Sequence, residues 1–465
     1  MVAAVAAGHP ATAEAGAEIL AEGGTAADAA VAACLASCVA ETVMTGLLGG
    51  GHVVYWDAAA ARARNLDCFV AVPGLGAQPR ETELVHLEVP FGAELVHYAV
   101  GPASCAVPGV PAGLDVLWRE YGRLPWRRLV EPALRIARVG VEMPAAHAAC
   151  LAMLAPVMTM NEGARIYSPG GALLETGGRL SQPGLANALE TVAEEGAASV
   201  YRGSLARALL ELVEARGGLV TREDLESYQA CWSDPVEVPY ANGRIATRAG
   251  LSGVPGTLIR LPRLRGLPER ERIPAFVEAL GAGAGGGGHT TNLVALDDAG
   301  NAGVVTTSLG LGSGDFLPGF DLHLNSMLGE TDLLRGPLEA GRRMESMMAP
   351  TLALGRDGLV LAAGSAGGTR LRTALVAVLA GVLDEELEPQ AAVDRPRFHP
   401  AAGTINAEPG VDESGLAELE TRGWAVRRWP DRHHYFGGVS LVGRAGAAAD
   451  PRRNGAVRTA ARPAG

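Results

Sequence analysis

Residues 281–288 are glycine apart from Ala282 and Ala284, and the run stops abruptly at His289-Thr290-Thr291-Asn292. A tract without side chains has nothing to pack, and glycine loses more backbone freedom on ordering than any other residue. Residues 290–296 are by contrast rich in threonine and branched apolar residues, the composition of a strand. A second such run covers 302–308, and Asp297-Asp298-Ala299-Gly300-Asn301 between them is turn chemistry. The chain therefore passes from a featureless linker directly into the first strand of a hairpin that begins with two threonines. Gly281, Gly283 and Gly286 formally match a dinucleotide fingerprint. That fingerprint needs a strand before it and a helix after it. Here 274–280 reads as helix and 290 onward as strand, so the order is reversed and no cofactor is expected.

A threonine hydroxyl is a poor nucleophile until its own α-amine is free to take the proton. That amine titrates at about 7.7–8.0, close to working pH. In mid-chain it is an amide and useless as a base. A site of this kind at Thr290 must therefore be made by cutting the bond between His289 and Thr290. A glycine tract ahead of the cut lets the released end swing away. Such a nucleophile also needs donors for a developing oxyanion. Gly364-Ser365-Ala366-Gly367-Gly368-Thr369-Arg370 falls between a strand-like run and a helix-like one. The backbone N–H groups of Gly367 and Gly368 could converge there on a negative oxygen. An ordinary glycine-rich turn accounts for the same residues. Ser365 does not sit in a GxSxG nucleophile elbow.

Elsewhere the reading is coarser. Helices are expected over 11–21, closed by Gly23-Gly24, and over 26–39, with Thr25 as N-cap. The second is so rich in alanine that it must lie close against a flat partner such as a sheet. Residues 52–56, 351–354, 359–363 and 437–442 read as strands, 205–215 and 371–383 as helices, and 108–111 as a turn. This mixture suggests a layered α+β architecture with a largely antiparallel sheet. The net charge of −12 argues against nucleic-acid or anionic-membrane partners. No apolar run reaches the ~18 residues of a membrane span. The first residues carry no basic n-region, so the expected location is cytoplasmic. Cys34, Cys38, Cys68, Cys105, Cys150 and Cys231 form no CxxC pair, and no metal site is expected.

Several short motifs occur in a telling order. They are Gly23-Gly24 with Ala26-Ala27-Asp28, Gly49-Gly50-Gly51, Val107-Pro108-Gly109, Thr290-Thr291, Met348-Ala349-Pro350-Thr351, residues 364–370, Pro396-Arg397-Phe398, Phe436-Gly437-Gly438 and Asp450-Pro451-Arg452-Arg453. In this order, across nearly its whole length, the chain resembles the γ-glutamyltransferase family. The resemblance implies an αββα four-layer sandwich of the N-terminal-nucleophile hydrolase type. It implies self-cleavage into a large subunit, 1–289, and a small one, 290–465, that stay together as partners. It implies an acyl-enzyme on the Thr290 hydroxyl, with Thr291 assisting and Ser308 orienting the nucleophile. Gly367 and Gly368 match the family's oxyanion donors.

The departures concern the substrate. Phe69 falls where the family holds the glutamyl carboxylate with an arginine, and a carboxylate without that bidentate partner loses a charge-assisted pair. Ser346-Met347 keeps one hydroxyl of a serine pair. Asn325, Ser326 and Glu330 fall where the family grips the glutamyl amine, with Ser326 and Gly329 in place of the usual residues. Asn292 replaces a histidine, and the stretch from 250 to 281 is short. Residues 309–315 are a candidate pocket wall or simply a loop, and Arg370 and Arg397 read as structural. The leading expectation is an amidohydrolase or acyltransferase acting on a γ-glutamyl or related N-acyl amide. A cephalosporin-acylase-like amidase and a catalytically inactive, uncleaved relative with a binding role are the alternatives.

Overall fold

The computed structural model describes residues 2–78, 82–91, 94–281 and 290–460. The glycine tract from 282 and His289 lie outside the described residues. Two large antiparallel sheets dominate. The first has seven strands, in the order Ala456–Thr459, Ala4–Ala7, Thr291–Leu296, Ala302–Ser308, Gly50–Asp57, Arg62–Cys68 and Cys231–Ser233. The second has six, in the order Gly446–Ala449, Gly438–Gly443, Gly358–Ala366, Thr351–Gly355, Gly243–Thr247 and Val236–Tyr240. The expected hairpin is central in the first sheet, with Thr291 opposite Thr307 and Leu296 opposite Ala302.

Side chains alternate between the two faces of a strand, and here both faces are apolar. Val294, Leu296, Val304, Val54 and Trp56 share one cluster with Leu352, Leu354, Leu359, Ala362 and Val442 of the second sheet. Leu293, Ala295, Val305, Val53 and Tyr55 face the other way, into a cluster with Ile19, Ala29, Ala33 and Leu129 from helices. On the second sheet, Ala353, Leu361, Ala363 and Leu441 join Phe276, Leu375 and Leu379 of the helices Glu269–Leu280 and Arg370–Leu383. The fold class is α+β.

The alanine-rich helix, Ala26–Ala40, is buried along its whole length. It lies on the sheet so closely that a methyl group at Gly303 would stand 3.4 Å from the Ala30 Cβ. Thr25 and Asp28 form a reciprocal capping box, Asp28 N–H donating to Thr25 Oγ1 at 3.1 Å and Thr25 N–H to Asp28 Oδ2 at 2.9 Å. The hairpin turn completes this cap. Asp297 accepts from Asn301 N–H, from the Asn301 amide and from the N–H of Ala26, each at 2.9 Å. One buried carboxylate thus fixes the turn and seats the helix on the strands of the hairpin.

The turn expected at 108–111 is in fact the start of the helix Val110–Tyr121. Pro111 lies in its first turn, where a missing N–H costs nothing. Among the described residues, no helix is long and apolar enough to cross a membrane. Asp297→Ala would take the acceptor from one buried donor, Ala26 N–H, at about 1–3 kcal/mol before relaxation, and from two half-buried donors of Asn301. Thermal unfolding of this variant is expected several degrees below that of the parent, and an unchanged melting temperature would contradict the role given to Asp297.

Candidate functional site

Thr290 is buried, directly ahead of the strand Thr291–Leu296, and it lines two separate cavities. The first, about 320 Å3 counting space open to solvent, brings together Thr290, Ser308, Gly368, Phe69, Glu330 and Ser346. Six of the residues singled out in the sequence, from five parts of the chain, therefore share one space. Met327, Leu333, Met347, Met348 and Leu371 supply the rest of the wall. Ser308 Oγ accepts from Gly310 N–H at 2.8 Å. Gly367 and Gly368 have φ of 134° and 57°, conformations that favour glycine, and they link the strand Gly358–Ala366 to the helix Arg370–Leu383. A Cβ at Gly367 would come within 2.9 Å of Gly437 Cα, so the bend needs glycine for room as well.

Phe69 is buried against His52, the rings stacked at 5.5 Å and 18°. Burial holds the His52 imidazole well below its ordinary pKa, helped by Arg248 and Arg343, so the ring is neutral. Those two guanidiniums are already engaged. Arg343 donates to Phe69 O at 2.7 Å and lies over the Tyr228 ring, and Arg248 donates to Ser346 O at 2.8 Å. Ser346 Oγ accepts from Met348 N–H at 3.2 Å and can still donate. Glu330 is the unusual member. Its Oε1 is buried without a partner among the described residues. Burial first, and Asp332 second, push its carboxyl up to about 8.

Two residues expected to touch substrate do other work. Asn325 donates to Leu48 O at 2.9 Å and Ala106 O at 2.8 Å, and accepts from Ala106 N–H at 3.0 Å. Its amide is consumed in tying three loops together. Ser326 Oγ accepts from Leu311 N–H at 3.0 Å. Neither lines a cavity with Thr290. The segment 309–315 likewise lines neither. It is held by bonds such as Ser313 N–H to Leu324 O at 2.8 Å and by the Asp315–Arg216 ion pair at 2.5 Å. Arg397 pairs with Asp450 at 2.6 Å inside the core, the structural role expected of it.

The second cavity, about 310 Å3, lies on the other side of Thr290 and has no counterpart in the sequence reading. Glu41, His147 and Arg453 line it together with Thr290, Thr291 and Asn292. Asn292 Oδ1 accepts from the Thr306 hydroxyl at 2.8 Å, across the hairpin. Glu41 did leave a trace in the sequence, being the one Asp, Glu, Lys or Arg between Asp28 and Asp57. A charge isolated in so apolar a stretch has to be buried with a purpose or not at all.

The gamma-glutamyltranspeptidase family model matches residues 12–272 and 282–460, which is nearly the whole chain. The chain belongs to that family. Within the gamma-glutamyltranspeptidase family it is similar to the acylase ACY 1 proenzyme of Pseudomonas sp. (strain V22), at 27% identity over 93% of this chain and 88% of the relative. It is also similar to the glutathione hydrolase proenzyme of Bacillus subtilis (strain 168), at 24% identity over 90% of this chain and 84% of the relative. In fold it resembles the cephalosporin acylase from Bacillus halodurans, with a TM-score of 0.82 at 24% identity, covering 98% of this chain and 95% of the other. An amidohydrolase or acyltransferase of the acylase and glutathione hydrolase type is the activity these relationships support.

Glu330 makes this site sensitive to pH in a definite direction. Its folded pKa of about 8 lies above the ordinary carboxyl value, so the folded chain holds the proton more tightly than the unfolded one. Stability is fullest below the unfolded value of about 4.3 and is lost as pH climbs towards about 8. Glu330→Gln carries no such penalty. Its melting temperature relative to the parent is expected to rise by a few degrees between pH 5 and pH 8.5, and a difference that stays flat over this range would refute the assignment.

Proposed function

We propose that the protein is made as one polypeptide, cuts itself before Thr290, and uses the freed threonine to hydrolyse or transfer an N-acyl amide. The carrying observation is the position of Thr290. It heads a buried central strand and opens into a cavity shared with Ser308, Gly368 and a largely apolar wall. The stacking of helices, two sheets and helices is read as the αββα sandwich, and 1–289 and 290–465 as its two subunits. Relatives described as proenzymes support the processing step.

The chemistry is assembled from these parts. The free α-amine of Thr290 takes the proton from its own hydroxyl as the oxygen attacks the acyl carbonyl. The N–H groups of Gly367 and Gly368 meet the oxyanion that forms. Ser308 holds the hydroxyl in line, and Thr291 steadies the new terminus. The amine leaves with the proton, and water or an acceptor amine releases the acyl group. His289 becomes the end of the large subunit. No metal or cofactor enters these steps.

Phe69 points to an acyl group without a free carboxylate. Together with the methionines and leucines it makes the wall apolar, and the two arginines behind it are bound to backbone carbonyls. An amidase acting on an uncharged N-acyl group is therefore favoured over a glutathione hydrolase. Intact mass should give two chains, 1–289 and 290–465, and Thr290→Ala should remain whole. N-terminal sequencing that finds no chain starting at Thr290 would end the processing proposal. Losing a charged hydrogen-bonding partner costs about 1.5–3 kcal/mol, or roughly ten- to a hundredfold in binding. The unmodified enzyme should accordingly cleave γ-glutamyl anilide weakly and an uncharged acyl anilide better. Phe69→Arg should raise the γ-glutamyl rate, and efficient glutathione hydrolysis by the parent would sink the specificity argument.

A further inference from the structure

The cavity behind Thr290 contains a carboxyl that none of these steps uses. Glu41 lies just past the end of the helix Ala26–Ala40 and is fully buried. Its Oε1 accepts from the Thr12 hydroxyl at 2.7 Å, and its Oε2 accepts from the Thr291 hydroxyl. The contact with Thr291 is given room by Gly8. A methyl group there would stand 2.8 Å from Glu41 Oε2 and 3.1 Å from Thr291 Oγ1. One carboxylate thus ties the helix Pro10–Ala21 to the residue next to the nucleophile, while lining the same cavity as the nucleophile itself.

We propose, resting on the N-terminal-threonine reading, that Glu41 is a positioning residue: its ionised carboxylate grips the Thr291 hydroxyl and thereby fixes the Thr290 hydroxyl and amine for catalysis. Ionised, the group accepts from both threonines at once. Protonated, one oxygen becomes a donor, and one of the two threonine hydroxyls must turn round or let go. Burial pushes the Glu41 carboxyl up to about 7, against the Thr12 and Thr291 hydrogen bonds and the Arg453 guanidinium that favour the charged form. The change of grip therefore falls close to working pH. The other titratable groups described around it are His9 and His147, which burial depresses to about 4 and about 3 and leaves neutral, Asp450, paired with Arg397 and Arg452, and the buried Cys34 thiol. None of these changes charge between pH 6 and 8, so the transition belongs to Glu41.

The test is the pH dependence of turnover on any amide the parent cleaves. Two groups must lose protons for activity, Glu41 near 7 and the α-amine at about 7.7–8.0. Log kcat of the parent should rise with a slope approaching two on the acid side. Glu41→Gln should fall to a slope of one, with kcat lowered roughly ten- to a hundredfold and KM little changed, as misplacement of reacting groups requires. Thr12→Val removes one hydrogen bond to the charged form, so the Glu41 limb should move to higher pH with Thr291 and Thr290 intact. A folded Glu41→Gln enzyme with parental kcat and slope would overturn the proposal. Should that variant fail to fold, a Thr12→Val profile that does not move would do the same. A parent that is cut and active while both variants behave like it refutes Glu41 alone. A parent that stays whole and inactive brings down this inference together with the nucleophile reading.

Discussion

Every residue of the strands Thr291–Leu296 and Ala302–Ser308 is buried, on both faces. A hairpin in that condition cannot belong to a sheet with one wet side. It needs apolar cover above and below, and the rest of the architecture supplies it. The second sheet covers one face through Leu352, Leu354 and Ala362, and the helices Pro10–Ala21 and Ala26–Ala40 cover the other. That cover dictates the composition of the two helices. Only alanine and glycine let a helix backbone settle so near a sheet, and Ala30 over Gly303 is the contact that shows it. A nucleophile at the head of such a strand inherits rigidity from both layers, which is what a reaction requiring fixed geometry demands.

The same burial decides the electrostatics. Water would otherwise keep both carboxyls beside Thr290 ionised through the neutral range. Enclosed, Glu41 on one side and Glu330 on the other are pushed to about 7 and about 8. Their surroundings separate them. Glu41 has two hydroxyl donors and a guanidinium in the same cavity, and so stays the more acidic. Glu330 has an unpartnered oxygen and Asp332 as a further repulsive neighbour, and so keeps its proton longer. Both carboxyls are thus raised towards neutral pH by burial, each in its own cavity beside Thr290.

What the sequence revealed and what it hid divide along a physical line. Local chemistry was legible. Thr25 announced a helix start, Asp297 to Asn301 announced a turn, and both lie where expected. The gathering of Phe69, Ser308, Glu330 and Ser346 around Thr290 was legible only through resemblance, since nothing local links these positions. The bonds of Asn325 were hidden because its partners are remote in sequence. A buried amide that answers Leu48 and Ala106 looks the same in a string of letters as one awaiting a ligand. Pro111 misled because proline marks turns and first helical turns alike. The sheet order and the cavity behind Thr290 were invisible, because both depend on which strands meet across the fold.

The composition adds a constraint on substrate that the site then sharpens. The chain has no lysine and 39 arginines, so any permanently charged side chain offered to an acyl carboxylate is a guanidinium. Two that act on this region, Arg343 and Arg248, are engaged elsewhere. Arg343 holds the Phe69 carbonyl, stacks on Tyr228 and approaches Asp67 at 3.4 Å, while Arg248 holds the Ser346 carbonyl. They stand behind the backbone that shapes the cavity, and no described arginine lines the wall itself. A carboxylate entering there would lose its water and meet no guanidinium, and on the proposed mechanism the freed α-amine of Thr290 is the one counter-charge the described wall offers it. An uncharged acyl chain loses nothing and gains contact with Phe69, Met327 and Leu371. The proposed preference for an uncharged acyl group thus rests on where these arginines are tied down as much as on the one position where an arginine is missing.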